Sequence, residues 1–164
     1  MTTLSLRNLV AAVSPDDRRV ALSVEVEAGE LVAAVEPTDR AAGAADSTAL
    51  ALAVAGLLEP VSGQVLVHGI EVTRKPPNDR EIRYVPAHGG LLPHLTVEQN
   101  VRYGLDRSPV VREEAEKRVS EAVERWDLMS TLTSHPHELS NEQRLQVALA
   151  RAAACRPEVL VAGG

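Results

Sequence analysis

Hydrophobic residues recur along this chain with two different periods, and the changes of period mark out its elements. Leu4, Leu6 and Leu9 alternate with polar neighbours, as do Ala21-Leu22, Val24 and Val26 beyond a charged SPDDRR turn. Alternation on both sides of a turn predicts an antiparallel pair. Val61 to Thr73 repeats the pattern: Ser62-Gly63 opens a hairpin, Val65 and Val67 mark its strand, and His68-Gly69 makes its turn. The period then becomes helical. Between Val110 and Leu128, the residues Val111, Ala115, Val119, Ala122, Val123 and Trp126 fall on one face, with Trp126 in the core. Glu113, Glu114, Glu116, Lys117 and Arg118 form the opposite, solvated face. At the far end, Ser140 and Gln143 have capping-box spacing, so a helix begins at about Asn141. Leu145, Ala148, Leu149 and Ala152 supply its apolar face, it ends near Cys155, and after Pro157 the run Val159 to Ala162 predicts a strand buried on both faces.

Composition narrows what such a chain can do. The 164 residues are 45% hydrophobic, enough for one domain with a real core, but only 2% aromatic with no Phe. Ala, Val and Leu must therefore fill the interior through many small contacts. Seventeen basic and 23 acidic side chains leave a net charge of -6, which argues against a nucleic-acid surface. The single cysteine, Cys155, has no partner within the chain and is expected as a buried thiol in a reducing compartment. With neither an N-terminal signal nor an 18-residue apolar run, the expectation is a soluble, cytoplasmic protein with no direct membrane insertion. His88 with His94, and His135 with His137, lack Cys or acidic residues at zinc spacing, so no metal site is expected.

The stretch HELSNEQRLQVALARAAACRPEVLVAGG, from His137 to Gly164, resembles the signature helix and following strand of the ATP-binding-cassette (ABC) transporter ATPases. Further likeness lies in Ala55 to Gly69 and in Ile82 to Leu105. The implied fold is α/β, P-loop NTPase-like, with an antiparallel β-subdomain and a helical subdomain, and with the C-terminal part of the core missing. The implied organisation is a single ABC-type domain: residues 1–86 the β-subdomain and P-loop-like core, 87–140 the helical subdomain, 141–164 the signature-like helix and Walker B-like strand. In the family a further strand follows and lies between the phosphate-loop strand and the last one here. Its loss is expected to make those two strands pair directly, to favour association with another copy, or to leave the domain marginal alone.

What the resemblance implies about chemistry depends on the positions where this chain departs from the pattern. Val13 stands where the family stacks an aromatic residue on adenine. AGELVAAVEP, Ala28 to Pro37, resembles the turn and strand that lead into the phosphate-binding loop. Alignment back from AGLLEP puts Ser47 at the lysine, Asp46 at the last glycine and Thr48 at the magnesium-binding hydroxyl, leaving Gly43 as the flexible residue inside the loop. Asp39 and Asp46 would meet a polyphosphate with like charge, at about 4 kcal/mol per close pair, with Arg40 the nearby cation. The plainer reading has Ser47-Thr48 capping a helix from about Ala49 to Leu58, against residual nucleotide binding. Ala87 replaces the Gln that would ligate magnesium. At the signature, Leu139, Ser140 and Gln143 remain, but Asn141-Glu142 replaces Gly-Gly. Ser140 and Gln143 serve a cap as readily as a ligand. Gly163-Gly164 replaces the Asp-Glu pair that holds magnesium and polarises water.

No residue is therefore expected to be catalytic, and no cofactor is expected beyond ATP and magnesium if any. The leading reading is a degenerate cassette that cannot hydrolyse ATP but keeps a transporter-docking surface at LLPHLTVEQNVRYG, the region that in the family faces the membrane-spanning partner. Its partners would be a transporter membrane subunit, an intact ABC ATPase subunit or a second copy, at the inner face of the cell membrane. An active ATP-hydrolysing subunit of a small-solute importer and a non-functional remnant are the alternatives.

Overall fold

The computed structural model describes residues 2–12, 20–33, 47–106 and 109–163. In chain order these form β1 (Thr2–Val10), β2 (Leu22–Glu27), α1 (Ser47–Ala55), β3 (Ser62–Val67), β4 (Ile70–Glu71), β5 (Ile82–Pro86), α2 (Val97–Arg102), α3 (Arg112–Arg125), α4 (Asn141–Ala154) and β6 (Val159–Gly163). Two compact units result, residues 1–84 with 161–164, and residues 85–160. Among the described residues, no helix is long and apolar enough to cross a membrane.

The first unit is built on a sheet of order β2-β1-β3-β4. The expected antiparallel pair is present, with Leu4 opposite Val26 and Leu6 opposite Val24. β1 also pairs antiparallel with β3, Leu4 facing Val67 and Leu6 facing Val65, and these four side chains with Leu9 are buried. Cross-strand pairs of this kind are the unit of sheet stability. The hairpin turns through His68 and Gly69, with φ of 48° and 77°, the left-handed conformations that a tight turn of two residues demands.

Helix α1 differs from expectation at both ends. It takes Ser47 and Thr48 into its first turn and stops at Ala55, because Gly56, at φ 80°, adopts the left-handed C′ conformation. The Leu57 amide then donates to Leu52 O at 2.8 Å and Gly56 N to Ala53 O at 3.2 Å, a Schellman closure that overrides the helix propensity of Leu57 and Leu58. Leu31 to Ala33, expected in a strand, have no regular structure, and Leu31 is 94% exposed. Without a strand partner among the described residues, that segment's apolar pattern is not enough to place it in a sheet.

The carbonyls at the end of α1 have a specific donor. Arg80, 3% exposed, gives Nη1 to Ala53 O at 2.8 Å and to Val54 O at 3.1 Å. Its Nε donates to Lys75 O at 2.8 Å and Nη2 to Thr73 O. One guanidinium thus satisfies helix carbonyls and the loop after β4 together, a cation at the negative helix end. Burial lowers its pKa below the ordinary arginine value, but not enough to discharge a guanidinium.

The second unit packs α2, α3 and α4 around Val97, Val101, Val119, Val123, Val147 and Ala150. Helix α3 has the expected apolar face except for Val111, which is 70% exposed because it is the N-cap residue, outside the first helical turn. Trp126 and Cys155 lie only half-buried at the margin of this core. Small alanines from α4 reach the centre instead. Arg156 holds the turn after α4 by pairing with Glu114 at 3.3 Å and Glu121 at 2.9 Å.

β5 and β6 form a sheet of two. β6 was expected to be buried on both faces, yet its residues alternate between half-buried and exposed, and Leu160 is 44% exposed. Among the described residues only β5 flanks it, so one strand covers what a sheet interior would cover twice. A direct pairing with the strand before the phosphate loop is not made by its described part, Ala28 to Ala33, and residues 34–37 lie outside those described.

The Arg80 arrangement generates a stability prediction. Arg80→Ala should lower unfolding free energy by about 3 kcal/mol or more in urea denaturation, because several buried carbonyls lose their donor together. Gly56→Ala should also destabilise, since its Cβ would lie 2.4 Å from Arg80 Nε.

Candidate functional site

In the first unit the candidate residues lie at the start of α1 and the end of β6. Ser47 and Thr48 stand within the first turn of α1, and Gly163 is the last residue of β6. A Cβ placed on Gly163 would meet Ala51 Cβ of α1 at 3.7 Å, an ordinary contact. The strand end therefore lies against α1, one turn from Ser47, where a Cβ would make ordinary contact. The Gly163 carbonyl accepts from the Tyr84 hydroxyl at 2.8 Å. Magnesium keeps several waters and is usually held to protein by one or two carboxylates. Gly163 brings no side-chain oxygen there, so this position does not fit the ion. Val13, Gly43, Asp46 and Gly164 lie outside the described residues.

The other candidates belong to the second unit. Ala87 is exposed just after β5 and has no side-chain donor or acceptor. The segment that follows is held from both ends. Gly89 and Gly90 have φ of 78° and 55°, and a Cβ on Gly89 would sit 3.1 Å from Arg144 O and 3.5 Å from Ala148 Cβ. The loop backbone therefore lies directly on α4. Arg151 of α4 donates Nη1 to Gly90 O at 3.0 Å and Nη2 to Gly89 O at 3.1 Å. Burial lowers the Arg151 pKa, opposed in part by Cys155 and Tyr103.

Asn100 of α2 holds the other end of the segment. It is fully buried, accepts from Leu92 N at 2.9 Å, and donates Nδ2 to Leu92 O, Leu95 O and Thr96 O at 3.0 to 3.1 Å. A Thr96–Gln99 capping box starts α2. His88, Gly90, Pro93 and His94 are left exposed on a shaped loop.

The signature-like segment folds around its cap. Leu139 is buried, Ser140 Oγ accepts from Gln143 N at 3.1 Å, and Gln143 Oε1 accepts from Ser140 N at 2.9 Å. Both polar side chains are thus used within the capping box, as the spacing implied. Asn141 and Glu142 are exposed in the first turn, where the Glu142 carboxylate complements the positive helix end. Just before, His135 N donates to Glu138 Oε2 at 2.6 Å and Arg144 Nε to Pro136 O at 2.8 Å. The His135 hydrogen bond, with smaller help from His137 and His135 charge, holds the Glu138 carboxyl below its ordinary value of 4.5.

Comparison with known proteins fits this geometry. The ABC transporter family model matches residues 21–162. The chain belongs to the ABC transporter family. A spermidine/putrescine import ATP-binding protein of Acidothermus cellulolyticus, PotA, is 40% identical over 141 residues, 86% of this chain and 36% of that protein. The sulfate/thiosulfate import ATP-binding protein CysA of Synechococcus elongatus is 39% identical over 140 residues, 85% of this chain and 39% of that protein. The chain thus spans under two-fifths of these relatives' length. Among solved structures, cbiO1 from Clostridium perfringens, described as part of the ABC transporter complex cbiONQ, superposes with TM-score 0.78 at 24% identity, covering 98% of this chain and 64% of that one. The ATP-binding cassette MJ0796, bound to ADP and Pi, gives 0.76 at 22%, covering 97% and 72%. The fold is that of an ABC nucleotide-binding domain.

Within this ABC domain, two residues that sequence reasoning passed over do the most to shape the candidate surface. Asn100 interrupts the apolar face between Val97 and Val101, and Arg151 interrupts a stripe of alanines. A single polar residue inside a buried helical face was the available signal.

Two measurements follow. Asn100→Asp, which sets carboxylate oxygen against three carbonyls, should cost about 2 kcal/mol or more in chemical denaturation. Glu138 has a depressed folded-state pKa, so its contribution is complete above 4.5 and is lost as pH falls through the folded value. Glu138→Gln should therefore flatten the fall in melting temperature below about pH 4.5.

Proposed function

We propose that this chain is an importer-type ABC cassette that docks on a transporter without hydrolysing ATP. The observation that carries the proposal is Gly163, which ends its strand against α1 with no side-chain oxygen, where the resemblance puts the magnesium-binding Asp, with Gly164 following in place of the water-polarising Glu. Ser47 and Ala87 are consistent with it, having neither the charge of lysine nor the amide of glutamine. Loss of a general base alone typically slows a reaction ~10²–10⁴-fold, and phosphoryl transfer rests almost entirely on such positioning and charge.

The docking side of the reading is supported by the loop from Ala87 to Thr96, which Arg151 and Asn100 hold in shape with His88, Pro93 and His94 outward. A membrane subunit of a small-solute importer is its partner in this reading, at the inner face of the membrane, with an intact cassette or a second copy alongside. The names of PotA and CysA favour polyamine or oxyanion importers as the class. Their identity of 40% and 39% also supports a second reading, an ATP-hydrolysing import subunit.

Melting curves of the purified chain in millimolar ATP, with and without magnesium, separate the two. A ligand present at a hundred times its Kd stabilises by about 2.7 kcal/mol, roughly 5–10 °C for a chain of this size. The expected result is no rise in melting temperature and no phosphate release. A magnesium-dependent rise accompanied by phosphate release would establish the second reading.

A further inference from the structure

In the helical unit a cavity of about 100 Å3 opens between the C-terminal half of α3 and the end of α4. Arg118, Arg125 and Arg156 line it, and Glu121 is the one carboxylate in its lining. Arg118 Nε and Arg156 Nη1 both reach Glu114 Oε1, at 2.7 and 3.3 Å, which sets two guanidiniums against a single oxygen. Arg156 Nη2 donates to Glu121 Oε2 at 2.9 Å. Two carboxylates thus balance two of the arginines. Arg125, exposed and without an acidic partner among the described residues, carries the charge that is left over.

Trp126 lines the same cavity, and its indole N–H is buried with no acceptor in the protein. A buried donor of that kind costs free energy until an acceptor reaches it. The arginines add to this surplus, because a guanidinium has five N–H groups, of which Arg118 uses one and Arg156 two on carboxylates. The cavity therefore holds many more donors than the carboxylates around it engage. We propose that it is a binding site for one compact oxyanion of the size and charge of inorganic phosphate or sulfate. Arg125 supplies the uncompensated charge, and the spare N–H groups of Arg118 and Arg156 meet the remaining oxygens, since the guanidinium fork matches oxyanion geometry. Size excludes a nucleotide, whose pockets are roughly 300 Å3 or more. The site shares no residue with the positions at Ser47, Ala87 or Gly163, so it stands apart from the docking and hydrolysis readings.

Titration of the purified chain with phosphate or sulfate, at ionic strength held constant with chloride, tests the site through the fluorescence of Trp126, the single tryptophan. Constant ionic strength removes general screening from the comparison. Melting temperature alone would not serve, because both anions also stabilise folded proteins by exclusion from their surface. The expected result is a change in emission that saturates in the millimolar range with either oxyanion and is absent with chloride. Arg125→Ala, at an exposed position, should leave the fold intact and weaken binding roughly tenfold. Arg125→Lys, a point charge without the fork, should fall between alanine and wild type. An equal titration in Arg125→Ala, a response that rises without saturating, or no response at all would each overturn the proposal. An anion held near Ser47 instead, in the other unit, would not depend on Arg125 and so counts against it.

Discussion

A backbone carbonyl that leaves water must find a donor, and this chain meets that constraint with polar side chains, Arg80 and Asn100 buried and Arg151 partly so. Arg80 serves the last turn of α1 and the loop after β4, Asn100 serves the loop before α2, and Arg151 serves the two glycines after β5. With no Phe and a core of Ala, Val and Leu, small contacts fill volume well but fix loops poorly, because a methyl group has no preferred direction. Hydrogen bonds supply the direction. Each unit has its own such anchors, Arg80 in the first and Asn100 with Arg151 in the second.

The consequence for function is a separation between shape and chemistry. The elements that present surface in an ABC domain depend on these internal donors, on the Ser140–Gln143 cap and on the apolar centre of the helical unit. None of these depends on a bound nucleotide. The positions that the resemblance assigns to phosphate and magnesium, among the described residues, lie elsewhere, at the start of α1 and the end of β6. Glycine at 163 illustrates the separation: its carbonyl still accepts from Tyr84 and its strand still forms.

Much of the fold was legible where a local rule sufficed. The β1–β2 pairing, the His68-Gly69 turn and the start of α4 each follow from alternation, left-handed turn residues or a capping box within a few positions. The failures have two causes, local helix boundaries read a few residues out and context from outside the window. Gly56 ended α1 ahead of two leucines, and Val159 to Ala162 read as fully buried although a single neighbouring strand covers them. Val111 matched the helical period but lies one residue before the helix. Of the site, the cap at Ser140 was readable, whereas Arg151 was not, because its partners are 61 and 62 residues away.

The closeness of Gly56 to Arg80 links two positions 24 residues apart in sequence. The space beside the guanidinium exists only while position 56 has no Cβ, and the positive φ there independently favours glycine. A lineage that lost Arg80 would free that space without relieving the backbone, so glycine should outlast arginine whenever the pair drifts.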